Sequence, residues 1–124
     1  MERKKILVAD DEVMVVKLIK FKLEKEGFDV VVASDGEQAI QLLLHGGIDL
    51  VVTDLLMPVH SGLEITQRAK SLESGKIPVI ILSSAGMEKN IIEAFKIGVD
   101  DFVNKPFSPE ELTLRIKKLL KTSG

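Results

Sequence analysis

The chain contains no cysteine, no tryptophan and no tyrosine, and five phenylalanines make up its whole aromatic content. Without a thiol it can have no disulfide framework, no thiolate metal site and no cysteine nucleophile. A reducing compartment fits that absence, and the expected location is the cytoplasm. With only two histidines, His45 and His60, and no cysteine, a zinc centre of the usual kind is not expected. An excess of one charge is also lacking, since 17 basic residues stand against 19 acidic ones for a formal net charge of −2. Nothing in that balance argues for nucleic acid as a partner, and there is no acidic tail. No apolar run approaches the length of a bilayer span, so no membrane partner is expected. The segment Ile6-Leu7-Val8-Ala9 is too short for the core of a secretion signal and is stopped by an acidic pair.

What is present is a regular alternation of two periodicities. The chain has 124 residues, of which 45% are apolar and 29% charged, which suits one globular domain spanning 1–124. Short, nearly continuous β-branched runs at Ile6–Ala9, Val30–Ala33, Leu50–Thr53 and Val79–Leu82, with a weaker one at Phe102–Asn104, predict buried strands. Between and after them lie apolar residues at helical spacing: Val13, Val16, Ile19 and Leu23; Ala39, Ile40, Leu43 and Leu44; Ile65, Ala69 and Leu72; Met87, Ile91, Ala94 and Phe95; Leu112, Ile116, Leu119 and Leu120. Gly27 and Gly98 are the expected stops of the first and fourth helices. Ser34 with Glu37, Ser61 with Glu64, and Ser108 with Glu111 have the spacing of capping boxes, and Pro109 suits the first position of the last helix. Alternating strands and helices predict an α/β fold, a doubly wound parallel sheet of five strands in the order 2-1-3-4-5.

In such a sheet, ligands bind at the carboxyl ends of the strands near the switch in strand order. There the sequence places Asp10 and Asp11 after the first strand, Asp54 after the third, Ser83 after the fourth and Lys105 after the fifth. Taken singly, each has an ordinary explanation as a cap, a turn former or a solvated side chain. Their convergence on one edge does not. Gathered carboxylates repel one another, and Mg²⁺, which prefers oxygen ligands and retains waters, is the expected counter-ion. Asp54 is then a candidate nucleophile towards a phosphoryl group. Lys105 would neutralise the oxygens of that group and Ser83 would donate a hydrogen bond to one of them.

The motifs Ile6-Leu7-Val8-Ala9-Asp10-Asp11-Glu12, Asp54-Leu55-Leu56-Met57-Pro58, Pro78-Val79-Ile80-Ile81-Leu82-Ser83 and Gly98-Val99-Asp100-Asp101-Phe102-Val103-Asn104-Lys105-Pro106-Phe107, in this order, resemble a response-regulator receiver domain of two-component signalling. The single-domain chemotaxis regulators are similar in size. The resemblance covers about residues 4 to 121 and implies a flavodoxin-like (βα)5 fold. It implies Asp54 as the phosphoacceptor, with Asp11 and Asp54 as direct Mg²⁺ ligands, Asp10 acting through water and the Leu56 backbone carbonyl completing the protein ligands. Ser83 is implied as the switch hydroxyl, Lys105 as the phosphoryl-binding cation, Phe102 as the switch aromatic, and Lys105–Pro106 as a cis peptide. Departures from the family pattern are Ser83 for threonine, Phe102 for tyrosine, Ser84 for alanine, and the loop Val59-His60-Ser61-Gly62, which is less glycine-rich than usual.

The implied partners are a sensor histidine kinase or histidine phosphotransfer domain on the input side and an unnamed output protein or domain on the other. A phosphorylation-dependent homodimer through the fourth helix, fifth strand and fifth helix is a further expectation, in which Ile91 could not supply the basic residue that winged-helix regulators often carry. No enzyme turnover is expected beyond self-phosphorylation and slow autodephosphorylation. A phosphatase of the haloacid-dehalogenase type would carry an acid two residues after its nucleophile, where this chain has Leu56. A receiver-like domain that had lost phosphorylation would be expected to lack Asp54, Lys105 or one of the acid pair, and all are present. His60 is expected as an exposed loop residue, His45 as a helix-end residue favoured by the dipole, and Lys117, Lys118 and Lys121 as the solvated face of the last helix. Whether the chain is a complete regulator or part of a longer one is open at this point.

Overall fold

The computed structural model describes residues 3–72, 77–84 and 86–121. Met1, Glu2, Thr122, Ser123 and Gly124 lie outside the described residues. The elements alternate strictly: β1 (Lys5–Ala9), α1 (Val13–Lys25), β2 (Asp29–Ala33), α2 (Gly36–His45), β3 (Leu50–Asp54), α3 (Gly62–Ser71), β4 (Val79–Ser83), α4 (Glu88–Ile97), β5 (Asp101–Asn104) and α5 (Pro109–Leu120). All neighbouring strands pair in parallel, in the predicted order β2-β1-β3-β4-β5. Successive side chains on a strand point to opposite faces, and the sheet therefore builds two cores. Leu7, Ala9, Val51, Val79 and Ile81 pack with Ile40, Leu43, Ile65, Ala69 and Ala94 of α2, α3 and α4. Ile6, Val8, Leu50, Val52, Ile80 and Leu82 pack with Ile19, Leu23, Leu112 and Ile116 of α1 and α5.

Several expectations are corrected by position in these layers. β2 is an edge strand rather than a fully buried one, and Val32 on it is exposed. Val13, Leu44 and Phe95 were expected on buried helix faces but are exposed. α1 buries only Ile19 and Leu23 fully, with Val15 packed partly against the same core. The cap of α2 is Asp35, not Ser34: the Asp35 carboxylate accepts from the Gln38 amide at 2.8 Å, while the amide and hydroxyl of Ser34 donate to Gln38 Oε1. Ser61 and Glu64 form the full reciprocal box. Ser108 and Glu111 form half of one, because the Glu111 carboxylate accepts from Arg115 instead. Lys117 is not merely solvated: it reaches Glu26 at 2.6 Å and ties α5 to α1. Gly27, with φ of 96°, follows the α1 cap as predicted.

Candidate functional site at the carboxyl edge of the sheet

Register brings the carboxyl ends of the central strands level. Ala9 pairs with Thr53, Asp54 with Leu82, and Ser83 with Asn104. The residues following or ending β1, β3 and β5 therefore meet above the sheet edge. Asp10 is buried, with its backbone amide donating to the Ala33 carbonyl at 3.1 Å and its Oδ1 accepting from the Glu12 amide at 2.9 Å. Lys105 reaches back across β4, and its Nζ lies 2.9 Å from Asp10 Oδ2, 2.8 Å from Glu12 Oε1 and 3.3 Å from Asp54 Oδ2. The Lys105–Pro106 peptide is cis, and the Lys105 amide donates to the Ser83 carbonyl at 2.7 Å.

The electrostatics follow from this crowding. Burial, and next the charge of Asp10, raise the pKa of Asp54 above the ordinary carboxylate value, while Lys105 and the Leu56 backbone N–H oppose that rise. Burial works to lower the pKa of Lys105, but hydrogen bonds to Glu12 and Asp10 and the charges of Asp10 and Asp54 outweigh it and hold the ammonium above its ordinary value. The site thus has more negative charge than one lysine neutralises. Oxygen ligand atoms of Asp10, Glu12 and Asp54 all lie within 4.8 Å of one another. Hard carboxylate oxygens with excess negative charge are a donor set that suits Mg²⁺.

The structure brings Asp10, Asp54 and Lys105 together and adds Glu12, to which sequence reasoning gave no role although it directly follows the acid pair. Asp11 is not in that group: it is exposed and lines, with Asp10, Val13, Val16 and Lys17, a neighbouring groove of about 320 Å³. Ser83 is fully buried, and its hydroxyl donates to Asn104 Oδ1 at 3.1 Å. Asn104 is a second residue that sequence reasoning left without a role, and only the β4–β5 register reveals the pairing. Leu56 is exposed in its side chain. Phe102 is half-buried, with its ring 5.2 Å from that of Phe95 on α4 at an interplanar angle of 56°. His60 is not a free loop residue, because its ring lies between Glu37 of α2 and Glu64 of α3.

Comparison with known proteins agrees with this arrangement. The family model described as "Response regulator receiver domain" matches residues 6–117. The transcriptional regulatory protein ResD of Bacillus subtilis is 39% identical over 120 residues, covering 97% of this chain and 49% of ResD. The transcriptional regulatory protein SrrA of Staphylococcus aureus is 37% identical over 116 residues, covering 94% of this chain and 47% of SrrA. The chain therefore spans about half the length of the curated relatives it matches. Among solved structures, the receiver domain of the Francisella response regulator 1452 superposes with a TM-score of 0.88 at 38% identity, over 98% of this chain and 100% of that one. With matching sequence and fold, the chain belongs to the response regulator receiver family, a signalling domain of two-component systems.

Proposed function

We propose that Asp54 accepts a phosphoryl group from a phosphohistidine on a sensor histidine kinase or a histidine phosphotransfer domain. The observation that carries this reading is the position of Lys105, whose single ammonium spans Asp10 and Asp54 at 2.9 and 3.3 Å. A cation so placed lies beside any phosphorus bonded to an Asp54 oxygen and can neutralise its non-bridging oxygens. Asp10, Asp11 and Asp54, with the Leu56 carbonyl, would hold Mg²⁺. When bound, the ion supplies positive charge to the phosphoryl oxygens and relieves repulsion among the acids. The unit that acts is a single receiver domain over residues 1–124, working in the cytoplasm.

The output follows from Ser83 and Phe102. The Ser83 hydroxyl exchanges Asn104 for a phosphoryl oxygen, and Phe102 shifts inward, repacking against Phe95. That biases an existing equilibrium of the face made by α4, β5 and α5. An output protein or domain, or a second copy of the chain in a phosphorylation-dependent homodimer, reads this face. Hydrolysis by the domain itself is slow. Leu56 offers only carbon where a phosphatase of the haloacid-dehalogenase type would place an acid to protonate the leaving group.

Incubation with acetyl phosphate and Mg²⁺, followed by intact-protein mass spectrometry, tests the reading. One phosphoryl group should be gained, and Asp54→Ala should gain none. A labelled Asp54→Ala protein would assign the acceptor elsewhere.

A further inference from the structure

A lysine ammonium has three N–H donors and no acceptor. In Lys105 all three are engaged, by Asp10 at 2.9 Å, Glu12 at 2.8 Å and Asp54 at 3.3 Å. A phosphoryl oxygen arriving at Asp54 can receive a hydrogen bond from Lys105 only if one of these partners lets go. The three partners differ in what release would cost. The side chain of Asp10 is 0% exposed, so parting it from the ammonium strands a carboxylate away from water, whereas Asp54, 13% exposed, itself carries the phosphoryl group and keeps the ammonium beside it. The side chain of Glu12 is 60% exposed, and its carboxylate returns to water when released.

Glu12 is also free to serve in this way. It occupies the N-cap position of α1, yet its side chain makes no capping hydrogen bond. Asp35, Ser61 and Ser108 by contrast use their side chains to cap α2, α3 and α5. The Glu12 backbone is anchored by its amide on Asp10 Oδ1 at 2.9 Å, which leaves the side chain to extend over the site to Lys105.

Building on the phosphoacceptor reading, we propose that Glu12 is a positioning residue whose Oε1 holds, at Lys105, the place that a phosphoryl oxygen takes once Asp54 is phosphorylated. Before reaction Glu12 keeps the ammonium aimed at the acids. On phosphorylation it yields its donor and turns to solvent. In the reaction with acetyl phosphate, an Asp54 oxygen forms the new P–O bond as the P–O bond to acetate breaks. Acetate leaves as the anion with the electron pair, so no oxidant or further reactant is needed. Glu12 competes with the product for Lys105 and so weakens binding of any phosphoryl group or its mimic.

The test is calorimetric titration of beryllofluoride, a phosphoryl mimic, with Mg²⁺ present, on wild type, Glu12→Gln and Glu12→Asp. Gln removes the charge. Asp keeps the charge but withdraws the oxygen by one methylene. Both variants should bind about two- to five-fold more tightly, the range set by one exposed ion pair. Unchanged affinity in both would overturn the proposal, and so would weaker affinity in both. Tighter binding by Gln alone would also overturn it, because the effect would then be one of charge at a distance and not of the contact. Acetyl phosphate labelling of the same wild-type preparation separates the two levels. A labelled wild type with unchanged variants rejects the role of Glu12 only, whereas an unlabelled wild type rejects the phosphoacceptor reading and this inference with it.

Discussion

A Cβ added to Gly62 would lie 2.5 Å from the carbonyl oxygen of Asp54 and 3.0 Å from the Cα of Leu55. Both obstacles are backbone, and the Gly62 amide is itself bound to the Leu55 carbonyl at 2.9 Å. The start of α3 is thus pressed directly onto the strand end that presents the proposed acceptor. Gly62→Ala should cost about 1–3 kcal/mol, as overpacking does, because the contact can be relieved only by moving α3 or Asp54. Urea denaturation measures the cost. Acetyl phosphate labelling of the folded fraction should fall as well, and full labelling would show that Asp54 keeps its place.

Three residues before this contact, Val59 has φ of 74° with its side chain exposed. The left-handed region costs an L-residue about 1–2 kcal/mol, and a β-branched one is poorly suited to it. Glycine would remove that strain while adding about 0.5–1 kcal/mol of unfolded-state entropy to be lost. Val59→Gly should therefore stabilise the domain by roughly 0.5–1 kcal/mol, seen as a higher urea midpoint with an unchanged slope. A lower midpoint would mean that the Val59 side chain makes contacts worth more than the strain.

The strand order and the convergence of Asp10, Asp54 and Lys105 were legible because both follow from chain order. A five-fold βα alternation with right-handed crossovers leaves few sheets, and residues just past parallel strands share one edge. Which side of a helix face lies beyond the sheet was not legible. Val13, Leu44 and Phe95 have the right spacing and yet are exposed, because a helical period marks an apolar stripe without saying how much of its width the sheet covers. The α2 cap was ambiguous for a local reason: Ser34 with Glu37 and Asp35 with Gln38 have the same spacing, and only backbone geometry chooses Asp35. Glu12 was missed because its importance lies in reach. Nothing in a pattern of residue types says that a glutamate carboxylate will extend to a lysine that is 93 positions away.

Asp54 should destabilise the metal-free protein. Burial foremost, and then Asp10, raise its pKa. A carboxyl whose folded pKa exceeds its unfolded value favours folding while it is protonated, and that contribution is lost as pH rises through the folded pKa. At neutral pH the ionised group is therefore a cost. Asp54→Asn should melt a few degrees higher than wild type near pH 7 in chelator, and the gap should close on acidification as wild type takes up the proton. Mg²⁺ should narrow the gap at neutral pH by stabilising wild type more than the variant. A lower melting point for the variant in chelator would place the dominant interaction of Asp54 with Lys105 instead.

His60 ties two helix starts to the loop after Asp54. Its Nδ1 lies 3.1 Å from Glu64 Oε2 on α3 and its Nε2 3.4 Å from Glu37 Oε1 on α2, while the Gly36 amide at the start of α2 donates to the Pro58 carbonyl at 2.9 Å. The hydrogen bond to Glu64 is the main cause of a raised His60 pKa, with burial opposing it and Glu37 adding to it. The folded value exceeds the unfolded one, so the stabilisation is complete below the unfolded pKa of about 6.5 and is lost as pH rises through the folded value. Glu64 is held below its ordinary pKa, chiefly by His60, and would lose its share only when pH falls through that lowered value. His60→Gln keeps a polar side chain without the titration. The melting-temperature difference between wild type and His60→Gln should therefore be greatest near pH 6 and shrink towards pH 8, about the range over which an imidazolium beside carboxylates discharges. Melts in buffers of matched ionic strength measure it. A difference that stays level across that range would show that His60 supports the loop as a neutral ring.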